Sequence, residues 1–191
     1  MKELVMSKVT NVYSESQNPT NTPLHFAVMK CEIETVKRII KTGAHVNATN
    51  IYGETALHLA IQERHEDIVQ KLVEHGADVN LKTRRDETPL QSALRQRREE
   101  ICKSLIERGA DVNAKDNDGK TALHLAIEET QIDIVQILVD QGADVNLKGP
   151  WDETPLHFAV LEGVEEICKL LIERGADVNA KDNGGKTALK L

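Results

Sequence analysis

The segment from residue 66 to residue 74 places apolar and polar residues with the spacing of a helix. Its apolar residues are Ile68, Val69, Leu72 and Val73. These positions form one stripe along a helix, and the polar residues between them face the other way. Gly76 follows, and a glycine can adopt the left-handed conformation that ends a helix. The pattern therefore predicts a short amphipathic helix that buries one face.

This pattern recurs with a period of 33 residues. A segment of the form Thr-Pro/Ala-Leu-His begins at residue 22 and returns, with substitutions, at 55, 88, 121, 154 and 187. A second segment, Gly-Ala-x-Val-Asn, begins at 43, 76, 109, 142 and 175. Because both series keep one step, they predict five complete repeats and a fragment. The predicted boundaries are 1–16 for an N-terminal tail or irregular cap, 17–49, 50–82, 83–115, 116–148 and 149–181 for repeats 1 to 5, and 182–191 for a partial repeat 6.

Each repeat is predicted to contain a turn, a short first helix and a longer second helix. Thr88 can cap a first helix with its hydroxyl. Pro89 occupies the next position, where a backbone amide would have no acceptor within the helix. A single repeat cannot bury its own apolar stripe, so stability must come from stacking equivalent faces. The expected fold class is an all-α repeat solenoid.

The two recurring segments resemble those of the ankyrin repeat. Thr154-Pro-Leu-His157 and Gly175-Ala-Asp-Val-Asn179 match its hallmark motifs, and their variants cover nearly the whole chain. The resemblance implies a stack of helix-turn-helix units that is L-shaped in section and carries projecting β-hairpin loops. It also implies a concave face formed by the hairpins and the first helices.

Composition and charge narrow the possible functions. The net charge is −7 and the isoelectric point is near 5.5, which disfavours a uniformly basic nucleic-acid binder. Aromatic residues make up only 3% of the chain, so the core must consist of aliphatic side chains. No run approaches the ~18 apolar residues of a membrane span, so membrane insertion is not expected. We therefore expect a soluble protein in the cytoplasm or otherwise inside a cell, and in the host cytoplasm if it is an effector.

The cysteines and histidines suggest structural roles. The three cysteines include no Cys-x-x-Cys pair, which argues against a disulfide scaffold or a zinc site and favours a reducing compartment. Cys102 and Cys168 share one repeat position and are expected to pack, whereas Cys31 stands where ankyrin repeats commonly have glycine and is expected to be more exposed. Four histidines also share one repeat position, and we expect each to hydrogen-bond to loop backbone: His25, His58, His124 and His157. No catalytic, cofactor or metal residue is predicted.

One turn resembles a nucleotide-binding loop. Gly119-Lys120-Thr121 ends a segment with the outline of a phosphate loop. That segment lacks the first glycine of the motif and has Asp116 and Asp118 where an anion would bind. A nucleotide-binding enzyme that uses this turn is accordingly a remote alternative, and the expected protein is not an enzyme.

Partner selection should depend on exposed residues that differ between repeats. By the resemblance, these lie at the hairpin tips and at the ends of the first helices. Tyrosine, tryptophan and arginine are the side chains that most often anchor interfaces. The predicted partner-binding residues are Tyr52, Arg84, Arg85, Arg95, Trp151 and Leu161. The arginines of repeat 3 could instead form a solvated, salt-bridged surface or contact nucleic acid.

The leading functional hypothesis is a non-enzymatic scaffold or adaptor that binds a protein through the concave hairpin and first-helix face. The alternative is a secreted or host-directed ankyrin effector or inhibitor of an intracellular pathogen or symbiont. A monomer without bound cofactor or nucleic acid is expected. Repeat 5 would expose part of its apolar face if nothing capped it, so association through the C-terminal end is an open possibility.

Overall fold

The computed structural model describes residues 21–190, and the predicted tail or cap at 1–16 lies outside that range. Ten α-helices occur in the described residues as five pairs, each with a helix of seven residues and then one of nine. They are α1 Pro23–Met29, α2 Ile33–Lys41, α3 Ala56–Gln62, α4 Glu66–Glu74, α5 Pro89–Arg95, α6 Glu99–Glu107, α7 Ala122–Glu128, α8 Ile132–Asp140, α9 Pro155–Leu161 and α10 Glu165–Glu173. Short 3₁₀ turns cover Pro150–Asp152 and Ala188–Lys190.

The threonines start the first helices as predicted. At the start of α7, the Thr121 hydroxyl oxygen accepts a hydrogen bond from the backbone amide of His124, at 3.5 Å. The His124 ring nitrogen Nδ1 in turn accepts from the Thr121 amide, at 3.3 Å. This reciprocal capping box satisfies two backbone donors at the helix start. In repeat 3 the same exchange links Thr88 and Gln91.

The two helices of each pair are joined by a residue in the left-handed region. These residues have φ between 53° and 69°, and they are Cys31, Arg64, Arg97, Thr130 and Gly163. Glycine adopts this conformation without strain, but a β-branched side chain does so at a cost. Cys31 is exposed here, as the sequence predicted. The turn therefore follows from the architecture of the repeat, even where the sequence does not supply a glycine.

The described backbone divides between residues 84 and 85 into two compact units. In the described part of the first unit, α1 packs on α3 and α2 packs on α4. In the second unit, α5, α7 and α9 form one layer, and α6, α8 and α10 form another. The fold class is an all-helical repeat solenoid, as predicted.

The buried side chains are mainly Leu, Ile, Val and Ala, which confirms the expected aliphatic core. Cys102 is fully buried in α6, where it packs as a small apolar residue. Ile106 on the same helix is 6% exposed, but its equivalent in α10, Ile172, is 48% exposed. The two equivalent isoleucines thus differ in burial within the described residues.

Asparagine side chains link consecutive repeats within each unit. The Asn113 amide donates to the Gly142 carbonyl oxygen at 3.1 Å, and its side-chain oxygen accepts from the Asp144 amide at 2.8 Å. Asn146 makes the same two bonds to Gly175 and Asp177. Within each unit, the Asn of the recurring Gly-Ala-x-Val-Asn segment therefore connects neighbouring repeats, as Asn47, Asn113 and Asn146 show. No helix within residues 21–190 has the length and apolar character that crossing a bilayer requires.

Candidate functional site

Short loops precede the first helices and carry most of the predicted contact residues. We call the five-residue loops at 50–54, 83–87, 116–120, 149–153 and 182–186 loops 2, 3, 4, 5 and 6. Loops 2, 4, 5 and 6 are each closed by a hydrogen bond from the first amide to the last carbonyl, at 2.7 to 3.0 Å. Among the described residues these loops form isolated β-bridges at Thr49–Thr55 and Lys181–Thr187 rather than strands. The expected hairpins are therefore tight turns.

The third residue of a loop uses its backbone to bind the next loop. The Tyr52 carbonyl oxygen accepts from the Arg84 amide at 2.9 Å, the Arg85 carbonyl from the Asn117 amide at 3.1 Å, and the Trp151 carbonyl from the Asn183 amide at 2.8 Å. The backbone at the loop tips is thus occupied within the chain. The side chains of Tyr52 and Trp151 extend into solvent, with exposures of 56% and 74%.

Loop 5 has an unusual backbone. A Cβ on Gly149 would lie 2.8 Å from Nε2 of His124, so this close approach requires glycine. Trp151 and Asp152 both lie in the left-handed region, at φ 58° and 62°. Pro150 has no amide proton and cannot make the inter-loop hydrogen bond that the other loops make. These constraints fix the backbone that presents Trp151.

The arginines of repeat 3 are less available than the sequence suggested. In the Arg95 side chain, Nη2 lies 2.7 Å from Oδ2 of Asp116, and Nε lies 3.6 Å from Oε1 of Glu87. The Asp116 side chain is only 2% exposed, so this is a well-protected ion pair. Arg97 pairs with Glu129 at 3.6 Å. Arg95 and Arg97 therefore form the salt-bridged surface that was the alternative expectation. The Arg95 charge is paired with carboxylates and is not free for a ligand.

Arg84 and Arg85 are exposed. Arg85 lines a cavity of about 300 Å³ together with the Arg95–Asp116 ion pair. The remaining lining residues are Glu87, Asn117 and Asp118. This mixture of charges gives the cavity no clear preference for an anion such as phosphate.

A contact across eight residues recurs on this face. The residue before the capping threonine touches the last residue of the same first helix in four repeats. The pairs are Asn21 with Met29, Gln62 with Glu54, Arg95 with Glu87, and Lys120 with Glu128. In repeat 5 the corresponding residues are Glu153 and Leu161, which cannot pair in this way. The sequence predicted Leu161 as a contact residue but did not link it to Glu153. Comparing residues eight positions apart in each repeat would have found this pair.

Family comparisons agree with this geometry. A family model described as ankyrin repeats in three copies matches residues 1–83 and 81–149, and a single ankyrin repeat matches residues 151–183. The chain belongs to the ankyrin repeat family. Comparison with curated proteins finds no match. Ankyrin repeats are generally protein–protein interaction modules, and the family is typically non-enzymatic.

Two of the four recurring histidines of this ankyrin repeat protein, His25 and His157, bind loop backbone as expected. Nε2 of His25 lies 3.0 Å from the Glu54 carbonyl oxygen, and Nε2 of His157 lies 3.2 Å from that of Lys186. Burial lowers the pKa of His124 to about 4, although the Glu153 backbone opposes the shift. Burial also lowers the pKa of His25, against the opposing effect of Glu54. Both rings are therefore neutral at pH 7 and serve the ankyrin stack.

The lysine of the Gly-Lys-Thr turn is already paired. Lys120 Nζ lies 2.7 and 2.8 Å from the Glu128 carboxylate oxygens and 5.7 Å from the centre of the Phe158 ring. The Asp118 and Lys120 amides donate to Oδ1 of Asp116. A phosphate loop needs such amides and its lysine to be free for an anion. In this turn, the two amides and the lysine ammonium group are all bound to carboxylates of the ankyrin stack.

The thiols of Cys102 and Cys168 show no activation. Burial raises the pKa of Cys102 to about 12, and burial also raises the pKa of Cys168. A thiol becomes a nucleophile when its pKa is lowered, so these shifts work against reactivity. Within residues 21–190, no group of three His, Cys, Asp or Glu side chains is arranged to hold a metal ion.

Proposed function

We propose that this ankyrin repeat protein is a non-enzymatic scaffold or adaptor that binds a partner protein through its loop tips and first-helix ends. The proposed contacts are Tyr52 and Arg84 in the first compact unit, and Arg85, Trp151 and Leu161 in the second. Arg95 contributes by holding Asp116 and Glu87 in place. The proposal extends the general role of ankyrin repeats to particular side chains.

The exposure of large side chains at the variable positions is the observation that carries this proposal. Tyr52, Trp151 and Leu161 are each more than half exposed. Residues that recur in every repeat, such as the capping threonines at 55, 88, 121 and 154, are buried instead. Large aromatic side chains that desolvate on binding contribute most of the energy of many interfaces. Stability and recognition are thus assigned to different residues.

An intracellular location is part of this proposal. Cys31, Cys102 and Cys168 are all free thiols, and Cys31 is exposed. Free thiols persist where the cell keeps cysteines reduced. Fractionation of source cells followed by immunodetection tests this location, and recovery in an extracellular fraction would contradict it.

The binding claim is tested by capturing partners from source-cell lysate with wild type and variants. Tyr52→Ala, Arg85→Ala and Trp151→Ala should each reduce capture of the same protein. Arg108→Ala and Glu173→Ala are matched controls, because they remove an exposed arginine and an exposed carboxylate from the second-helix side of the repeats. These controls should capture the partner normally. Equal capture by all five variants would contradict the proposed surface.

A further inference from the structure

In repeat 5, Glu153 and Leu161 occupy the two positions whose side chains contact each other in repeats 1 to 4, but they form no hydrogen bond or ion pair with each other. Glu54 accepts a hydrogen bond from Gln62 at 3.0 Å, and Glu87 lies 3.6 Å from Arg95. In repeat 5 the carboxylate is kept at Glu153, but Leu161 replaces the donor and is 57% exposed. Among the residues that the structure describes, no side chain pairs with the Glu153 carboxylate. The repeat therefore presents an acceptor beside an exposed apolar side chain.

The surroundings of this position are acidic. Lys120 is paired with Glu128, and Lys148 lies 3.4 Å from Asp152, so these two lysines already face carboxylates, whereas Lys186 in the following repeat is exposed. The Asp118 and Glu162 side chains are exposed and have no ion-pair partner in the described part of the chain. Together with Glu153 they leave an excess of negative charge at the loops and first-helix ends of repeats 4 and 5. Such a field favours a positively charged ligand.

The Trp151 ring stands two residues before Glu153 on a backbone that is already fixed. The Trp151 carbonyl oxygen accepts a hydrogen bond from the Asn183 amide. Pro150, the residue before Trp151, has a φ angle that its own ring fixes. The ring is 74% exposed. An exposed tryptophan face attracts an ammonium or guanidinium group, and a fixed backbone lowers the ordering cost of binding.

We propose that Trp151, Glu153 and Leu161 bind a basic segment of the partner protein. An arginine or lysine of that segment pairs with the Glu153 carboxylate, lays its aliphatic stem on Leu161 and places its cation against the Trp151 ring. The partner residue thus supplies the donor that Gln62 and Arg95 supply within their own repeats. This inference rests on the proposed function and specifies the chemistry of the partner.

A random dodecapeptide library displayed on phage and selected on the whole protein tests the inference. Selected peptides should be enriched in arginine or lysine next to apolar residues. The best peptide, labelled for fluorescence anisotropy, should bind Glu153→Gln and Trp151→Ala about tenfold more weakly than wild type. Its affinity for wild type should fall as salt is raised, because the contact is partly ionic.

Two further variants separate binding from folding. Leu161→Gln recreates the Gln62–Glu54 pair in repeat 5, so it should fold like wild type by circular dichroism while losing about tenfold in peptide affinity. Glu153→Lys should reject the basic peptides. Glu173→Gln removes an exposed carboxylate at the end of α10 and is the matched control, which should bind the peptide as wild type does.

The outcomes distinguish this inference from the proposed function. If selected peptides carry no basic residue, and their binding is lost in Trp151→Ala but kept in Glu153→Gln, the binding surface stands and the basic partner is refuted. If binding of selected peptides survives Trp151→Ala, Leu161→Gln and Tyr52→Ala alike, both proposals fail. Failure to enrich any peptide on wild type over Trp151→Ala refutes the basic-segment inference.

Discussion

The Gln91 side-chain amide donates a hydrogen bond to the Lys120 carbonyl oxygen, 3.0 Å away and 29 residues later in the chain. The same amide donates to the Ala114 carbonyl oxygen at 3.1 Å. Its side-chain oxygen accepts from the Thr88 amide at 2.9 Å. Glutamine thereby caps its own helix and binds the next loop, which are the two tasks that His25 and His157 perform elsewhere.

This equivalence predicts how the protein tolerates changes at the histidine position. His157→Gln should lower the free energy of unfolding by less than about 1 kcal/mol, because glutamine can make both contacts. His157→Ala should cost about 2 kcal/mol, because buried backbone groups lose their partners. Urea unfolding followed by circular dichroism measures both values. Equal losses of stability in the two variants would show that the side-chain hydrogen bonds do not explain why histidine or glutamine recurs at this position of the repeat.

Buried neutral histidines predict a loss of stability in acid. The pKa of His124 is about 4 in the folded protein and near 6.5 when unfolded, so the unfolded state gains a proton first as pH falls. The contribution is full above about pH 6.5 and is lost progressively down to about pH 4, by up to about 3 kcal/mol. The lowered pKa of His25 acts in the same direction.

The measurement is urea unfolding of wild type and His124→Gln across that pH range. Wild type should lose stability more steeply, because glutamine does not titrate. Carboxylates with lowered pKa, including Asp140 with its Gln136 and Arg174 partners, also favour the folded state at higher pH and are common to both proteins. Parallel curves for the two proteins would rule out the His124 contribution.

Strain between the paired helices is predicted at Thr130. It is exposed, it has φ 53°, and Gly163 holds the equivalent position in repeat 5. Thr130→Gly should raise stability by about 0.5 kcal/mol, since relief of strain exceeds the added chain entropy. Gly163→Thr should lower stability by about 1 kcal/mol, and its Cβ would meet no atom within 4 Å, so the change tests backbone strain alone. Thermal unfolding of both variants measures the effects; shifts of the same sign would contradict this explanation.

Lys120 provides the test of the nucleotide-binding alternative. Because its ammonium group faces Glu128, ATP with magnesium should leave the melting temperature of wild type unchanged in differential scanning fluorimetry. Lys120→Ala should lower stability by about 0.5 kcal/mol through loss of a partly exposed ion pair. A melting shift with ATP in wild type that disappears in Lys120→Ala would contradict this and revive the alternative.

Much of the fold could be predicted because its determinants are local and recur. Each capping threonine, each Gly-Ala segment and each apolar stripe acts within one repeat, so the period of 33 residues places the helices. The exposure of Tyr52 and Trp151 followed from their loop positions. The pairing of Arg95 with Asp116 did not, because it joins residues 21 positions apart in neighbouring repeats. The left-handed backbone of Trp151 and Asp152 was also missed, since loop 5 has Asp152 at the fourth position, where loops 2, 4 and 6 have glycine.

The central claim is that side chains at the loop tips contact the partner. It is tested most directly by replacing Trp151 with the photo-crosslinker p-benzoylphenylalanine, irradiating source-cell lysate and identifying crosslinked proteins by mass spectrometry. Glu173 replaced in the same way is the control on the second-helix side. We expect one protein to crosslink from position 151 and not from position 173, and excess unlabelled wild type to compete it away. Crosslinking of the same protein from position 173 and not from position 151 would contradict the claim.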